Sequence, residues 1–174
     1  MFNTTAPDII QYLSPEYKSV VHRCVVTKMN EVFLETKKSC RNFRGKVSVV
    51  AHSLGTVITY DILKLQGSSH SAENQLELTF NLESLFLLGS PLGLFTSVYS
   101  SENFIRAKLP KCARFYNIYH PSDLIAYRIE PLLRIDSESD GDPESVELPV
   151  LVPCYWNMGL NSAQMIKFFF SKNE

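Results

Sequence analysis

VSVVAHSLGTVITYDIL, residues 47–63, changes its period part-way along. Lys46 to Ala51 holds a short β-branched run, VSVV, of the kind a buried strand uses. From Thr56 to Leu65 the apolar residues follow helical spacing, and Gly67-Ser68-Ser69 closes the segment. Ser53 lies between the two, at the tightest point of a strand that turns straight into a helix. Two readings of Ser53 stand. It is a nucleophile exposed on the turn, or it is the small turn or N-cap residue that such a junction requires.

Ala51-His52-Ser53-Leu54-Gly55 fits the G-x-S-x-G pattern of the α/β-hydrolase nucleophile elbow, with Ala in place of the first Gly. Small residues are expected on either side because strand and helix backbones approach closely there. The Ser53 hydroxyl would face substrate above the carboxyl edge of the sheet. The Leu54 N–H would point at the developing oxyanion, and the helix N-terminus would add a favourable field. His52 is adjacent in sequence, so its ring is expected to turn away from the hydroxyl and to pack or hydrogen-bond the elbow.

Upstream, Ser14-Pro15-Glu16 marks a helix start, with Ser14 as N-cap and Pro15 in the first turn. Val20, Val21, Cys24, Val25, Met29, Val32 and Phe33 then recur at three- and four-residue spacing, predicting one amphipathic helix to about Arg41. Cys24 is expected on its buried face, and Gly45 as the C-cap. Downstream, Leu85-Phe86-Leu87-Leu88 predicts a second buried strand stopped by Gly89-Ser90-Pro91, and Ala113 to Tyr119 a third. Strands alternating with helices predict an α/β architecture with a mainly parallel sheet.

The chain has 174 residues, 45% of them hydrophobic, which suits one core. A net charge of −1 gives no whole-chain field for nucleic acid, and no nucleic-acid partner is expected. No apolar run reaches the length of roughly 18 residues that spans a membrane. MFNTTAPDII lacks the pattern of a secretory leader, so Cys24, Cys40, Cys112 and Cys154 are expected as free thiols in the cytoplasm. Ser68 to Asn74 is polar and reads as a loop, and Asp136 to Glu147 is acidic and turn-rich, a solvated insertion. Met165, Ile166 and Phe168 to Phe170 near the last residue call for cover.

A second polar cluster follows the third strand in FYNIYHPSDLIAYRIEPLL, residues 115–133. Asp123 sits where a hydrolase acid belongs in the chain order Ser, acid, His. An Asx-turn or a helix cap is the alternative for it. Arg128 and Glu130 read as an ion pair, with an anionic head group as the alternative partner of Arg128. His120 is the one histidine of this chain placed to serve as a base, since strand ends converge at one edge of such a sheet.

Taken together, SPEY, MNEVF, FRGKVSVVAHSLGTVITYDIL, LFLLGSPLGLF and LPKCARFYNIYHPSDLIAYRIEPLL resemble the DDHD-domain family of intracellular phospholipases A1 that prefer phosphatidic acid, over about residues 8–133. The resemblance implies a partial α/β-hydrolase-like fold, a phospholipid substrate and peripheral contact with ER or Golgi membranes. It implies Ser53 as nucleophile and Asp123 as triad acid. Asp123 would also be the first of the four residues that name the domain, for which metal binding has been proposed. A divalent metal at Asp123 is therefore the one cofactor the resemblance suggests. The chain departs from the family in two places. Leu124 stands where the family has Pro, and no histidine follows Asp123. The chain thus divides into a partial hydrolase core with the start of the DDHD domain (1–133), an acidic insertion (134–148) and a divergent C-terminal part (149–174). It reads as part of a phospholipase A1-like ester hydrolase with an incomplete triad. The alternative is a non-catalytic lipid- or protein-binding module of membrane traffic.

Overall fold

The computed structural model describes residues 11–67, 76–99, 104–106, 109, 111–120, 123–126 and 128–134, with the backbone of 150–154 and 164–168. Its elements in order are α1 (Pro15–Ser39), β1 (Val47–His52), α2 (Leu54–Lys64), β2 (Leu82–Leu88), α3 (Leu92–Tyr99), β3 (Ile105–Arg106), β4 (Cys112–Ile118), β5 (Leu133–Arg134), β6 (Val150–Cys154) and β7 (Gln164–Phe168). β1, β2 and β4 form a parallel sheet in that spatial order. β3 pairs with β5, β6 pairs with β7, and β7 lies against β4. The architecture is a partial α/β layer.

The period-two alternation of side chains gives the sheet two unlike faces. Val49, Leu85 and Phe115 stand in one row, and Ala51, Leu87 and Asn117 in the next. Leu85, Leu87 and Asn117 are wholly buried on this face. Val26 of α1 and Tyr60, Ile62 and Leu63 of α2 share their core cluster, with Val25, Met29 and Phe33 packed against it. The opposite face carries Val50, Phe86 and Tyr116, with the last two rings stacked at 4.9 Å. Val50 is 65% exposed there while Tyr116 is buried, so this face is open at the β1 side and covered toward β4.

α1 starts at Pro15 as predicted but ends at Ser39, with Cys40 as its C-cap. Gly45 is therefore not the cap. The Phe43 ring folds over it, and an added Cβ would meet Phe43 Cε2 at 2.7 Å. Cys24 is exposed rather than buried, as are Val20 and Val32. The buried stripe runs through His22 and Val26 instead, because α1 meets the sheet and α2 along that line. Between α2 and β2, Gln66 donates to the carbonyls of Ile62 and Leu76 and accepts from the Leu78 N–H, tying the end of the helix to the approach to the next strand. The loop, the acidic insertion and the C-terminal side chains singled out in the sequence lie outside the described residues, as does the Glu130 side chain expected to pair with Arg128.

A polar knot joins the helices. The Tyr12 hydroxyl donates to Asp61 Oδ2 at 2.9 Å and lies 2.8 Å from His22 Nε2. With its one proton committed to Asp61, that hydroxyl accepts from His22, which fixes the Nε2–H tautomer of a neutral ring. Lys18 closes on Asp61 at 2.6 Å. Burial holds the His22 imidazole down to a pKa of about 4, against the attraction of Asp61 and with the repulsion of Lys18. An unfolded His takes its proton at a pH near 6.5. The contribution of neutral His22 is therefore whole above about pH 6.5 and is lost as pH falls toward 4. Melting temperatures between pH 7.5 and 4.5 should fall below about pH 6.5. His22→Leu should lower stability at pH 7 by about 1–3 kcal/mol but flatten that slope. An unchanged slope in the variant would remove His22 as its cause.

Candidate active site

The ladder of the sheet runs on past the ends of its strands. The Ser53 N–H donates to the Leu88 carbonyl at 3.0 Å, and the Gly89 N–H donates to the Ile118 carbonyl at 2.9 Å. Ser53, Gly89 and the turn after β4 are thereby held at one edge, the carboxyl edge. Ser53 itself sits at φ 50°, ψ −127°, a left-handed backbone for a residue with a Cβ. Such a conformation costs on the order of 1–3 kcal/mol and survives only where neighbours over-determine it. Here the strand pairing of its N–H does so from one side. On the other side, its carbonyl accepts the Thr56 N–H at 3.0 Å and the Thr56 hydroxyl at 2.6 Å.

Ser53 occupies the N-cap position of α2, yet its hydroxyl makes no cap hydrogen bond. The capping role proposed for it is thus not what the side chain does. α2 leads away from it into the core, with Thr56, Val57, Tyr60 and Leu63 buried. Leu54 is the first residue of that helix, so no carbonyl one turn back pairs with its N–H. The close-approach argument holds for Ala51, which is buried, but not for Gly55. A Cβ at Gly55 would meet nothing within 4 Å among the described residues.

The two oxygens of Asp123 face different ways, and one of them makes the turn considered for it. Oδ1 accepts from the Ile125 N–H at 2.9 Å and the Ala126 N–H at 3.1 Å, an Asx-type cap of the turn. Oδ2 faces Gly89, 3.6 Å from where a Cβ would stand. His52 Nε2 lies 3.9 Å from the same point. The two side chains thus flank Gly89, whose φ of 55° is the second left-handed backbone at this edge. His52 is exposed and packs beside the turn, as its place next to Ser53 suggested. His120 begins the turn that Asp123 closes, its carbonyl accepting the Asp123 N–H at 2.9 Å. β4 is two strand spacings, about 10 Å, from β1. Asp123 and His120 thus share an edge with Ser53 but enter it from the far strand.

Sequence reasoning missed Thr56 and Ser90. Both are wholly buried, and their hydroxyls lie 2.7 Å apart. Gly89-Ser90-Pro91 reads as a strand stop. The available signal was that a second small-residue turn ends the neighbouring strand at the register of Ser53. A divalent metal at Asp123 does not fit the side chains present. Oδ1 is committed to two N–H groups, and among the described residues no three His, Cys, Asp or Glu side chains gather.

The DDHD domain profile matches residues 78–167, which takes in β2, β4 and the Asp123 turn and ends within β7. The chain belongs to the DDHD-domain family. A probable mitochondrial phospholipase of Schizosaccharomyces pombe is 35% identical over 146 residues, covering 72% of this chain and 19% of its own length. An intracellular phospholipase A1 of Caenorhabditis elegans is 30% identical over 182 residues, covering 74% of this chain and 21% of its own. A mouse SEC23-interacting protein is 34% identical over 94 residues, 53% of this chain and 9% of its own. This DDHD chain therefore spans about a fifth of the length of the first two relatives. No solved structure matches it.

Two outcomes test the site without any assay of activity. Ser53→Gly should raise stability by about 1 kcal/mol, a gain of roughly 2–4 °C in melting temperature, because the strained backbone is relieved. Gly55→Ala should fold and melt no lower than the parent, since the position is open and Ala is the better helix former by up to about 1 kcal/mol. A lower melting temperature in either variant would contradict the backbone geometry.

Proposed function

We propose that this chain carries the nucleophile and the acid of a serine-type, phospholipase A1-like hydrolase of lipid esters, with glycerophospholipids such as phosphatidic acid as the substrate class. The observation that carries the reading is the bare Ser53 hydroxyl on a strained strand-turn-helix elbow, with Asp123 Oδ2 facing the same edge. A strand-turn-helix of this kind, with a free hydroxyl at the turn, supports the reading because an α/β-hydrolase elbow requires it. Phospholipase relatives support the lipid class. So does the rim. Leu124, 85% exposed, and Ile125 project beside Asp123, where an acyl chain gains by leaving water.

In this reading Ser53 Oγ attacks the ester carbonyl while an imidazole takes its proton and returns it to the leaving alcohol. The Leu54 N–H donates to the oxyanion. Asp123 Oδ2 accepts the other ring N–H of that imidazole and stabilises its charged form, while Oδ1 keeps the turn in place. His120 is the candidate base in this chain. The protein works in the cytoplasm at a membrane surface. An ER or Golgi membrane is the site the family resemblance implies, whereas the Schizosaccharomyces pombe relative carries a mitochondrial designation. The SEC23-interacting relative supports a second reading, a non-catalytic module that binds lipid or protein.

Fluorophosphonate labelling separates the two readings. The wild-type chain should label at Ser53 and release fatty acid from phosphatidic acid in mixed micelles. Ser53→Ala should do neither and should keep its fold. Asp123→Asn retains an oxygen for the turn but no charge for an imidazolium, so it should melt like the parent and lose about 10²-fold or more in rate. His120→Ala with full activity would move the base to another segment. Absence of labelling in the wild type would leave the binding module.

A further inference from the structure

The hydroxyls of Thr56 and Ser90 complete a directed chain of hydrogen bonds that ends on the nucleophile's own peptide. Thr56 has one hydroxyl proton, and it goes to the Ser53 carbonyl at 2.6 Å. The 2.7 Å contact between Thr56 Oγ1 and Ser90 Oγ therefore uses the Ser90 proton, with Thr56 accepting. Ser90 Oγ in turn accepts the Leu92 N–H at 3.2 Å, from the first residue of α3. The order is Leu92 N–H to Ser90 hydroxyl to Thr56 hydroxyl to Ser53 carbonyl. Each link donates in the same direction.

The Ser53 carbonyl and the Leu54 N–H are the two ends of one planar trans peptide and point opposite ways. Whatever holds the carbonyl therefore aims the N–H. Thr56 grips that oxygen twice, through its N–H and its hydroxyl, from the helix side. The Leu54 N–H is left pointing out of the helix N-terminus, at the edge where Ser53 Oγ stands. Hydrogen bonds accepted by a carbonyl also polarise its peptide and strengthen the N–H as a donor, the more so in a buried, low-dielectric setting. Thr56 and Ser90 are both wholly buried, so water supplies no substitute for either hydroxyl.

We propose that Thr56, backed by Ser90, is a positioning residue that fixes and polarises the Leu54 N–H as the oxyanion donor. This deepens the hydrolase reading and rests on Ser53 as nucleophile. Thr56 touches neither substrate nor the reacting oxygen; it acts through the peptide between Ser53 and Leu54. The role is specific to a hydroxyl with a second hydroxyl behind it. Serine at 56 keeps it, and valine, of nearly the same shape, loses it.

The test is the second-order rate at which a fluorophosphonate labels Ser53 in the full 174-residue chain, followed with ¹⁵N-labelled protein for the Leu54 amide. In the wild type the Leu54 amide proton should move downfield as the phosphonyl oxygen takes the oxyanion position. Thr56→Val should label about 10–100-fold more slowly, with an unchanged pH profile and a smaller shift of that amide. Thr56→Ser should restore both to within a few-fold of the parent. Ser90→Ala should slow labelling less than Thr56→Val. The double variant Thr56→Val with Ser90→Ala leaves no hydroxyl stranded but takes the acceptor from the Leu92 N–H, so the melting temperature of each variant is read beside its labelling rate to separate a lost fold from a lost donor. Labelling of Thr56→Val, or of the double variant, at the wild-type rate would overturn the proposal while Ser53 stands as nucleophile. A wild type that does not label at Ser53 would overturn the hydrolase reading and this proposal with it.

Discussion

The bond from the Ser53 N–H to the Leu88 carbonyl holds this structure's chemistry together. It is the last rung of a parallel ladder in which His52, Leu88 and Ile118 stand in one row. Beyond that row the chain must leave the plane of the sheet. A serine in a left-handed backbone makes that turn sharp enough for α2 to start at once. Leu85 and Leu87 anchor the middle strand in the core, so the position of the edge is set by apolar packing far from any reacting group.

Around this edge the polar groups divide their work. Asp123 spends one oxygen on its own turn and turns the other toward Gly89. Thr56 serves the Ser53 carbonyl twice, and the Ser53 hydroxyl is left out of every bond that shapes the turn. The position of that hydroxyl thus comes from backbone it does not have to stabilise. The Tyr12, His22 and Asp61 knot is the reverse case, a set of titratable side chains occupied with one another at the meeting of α1 and α2.

Much of this was legible in the residues. The β-branched run before Ser53 and the helical spacing after it foretold β1 and α2 to within a residue or two, because their periods differ, although β1 is half-exposed and not the buried strand its residues suggested. The parallel order followed from the alternation of elements. The outer face of α1 was misread at Val20, Cys24 and Val32. Apolar residues there lie on more than one side of the helix, and composition does not say which side meets the sheet. His22 was passed over because a polar residue rarely marks a core, yet its partners Tyr12 and Asp61 lie 10 and 39 residues away in sequence and are invisible to any local pattern. Ser90 was hidden for the same reason, since only the register of β1 on β2 brings it to Thr56.

The register also sets an order of events. Ser53 is made well before Leu88 on the growing chain, with the whole of α2 and most of β2 between them. Until β2 has emerged and docked, nothing pairs the Ser53 N–H, and a strained serine with no such partner relaxes into an ordinary turn. The elbow is therefore not a local motif that forms where its sequence is written. It comes into being by long-range closure, late and together with the sheet. A nascent chain halted before Leu88 would carry the serine but not the turn.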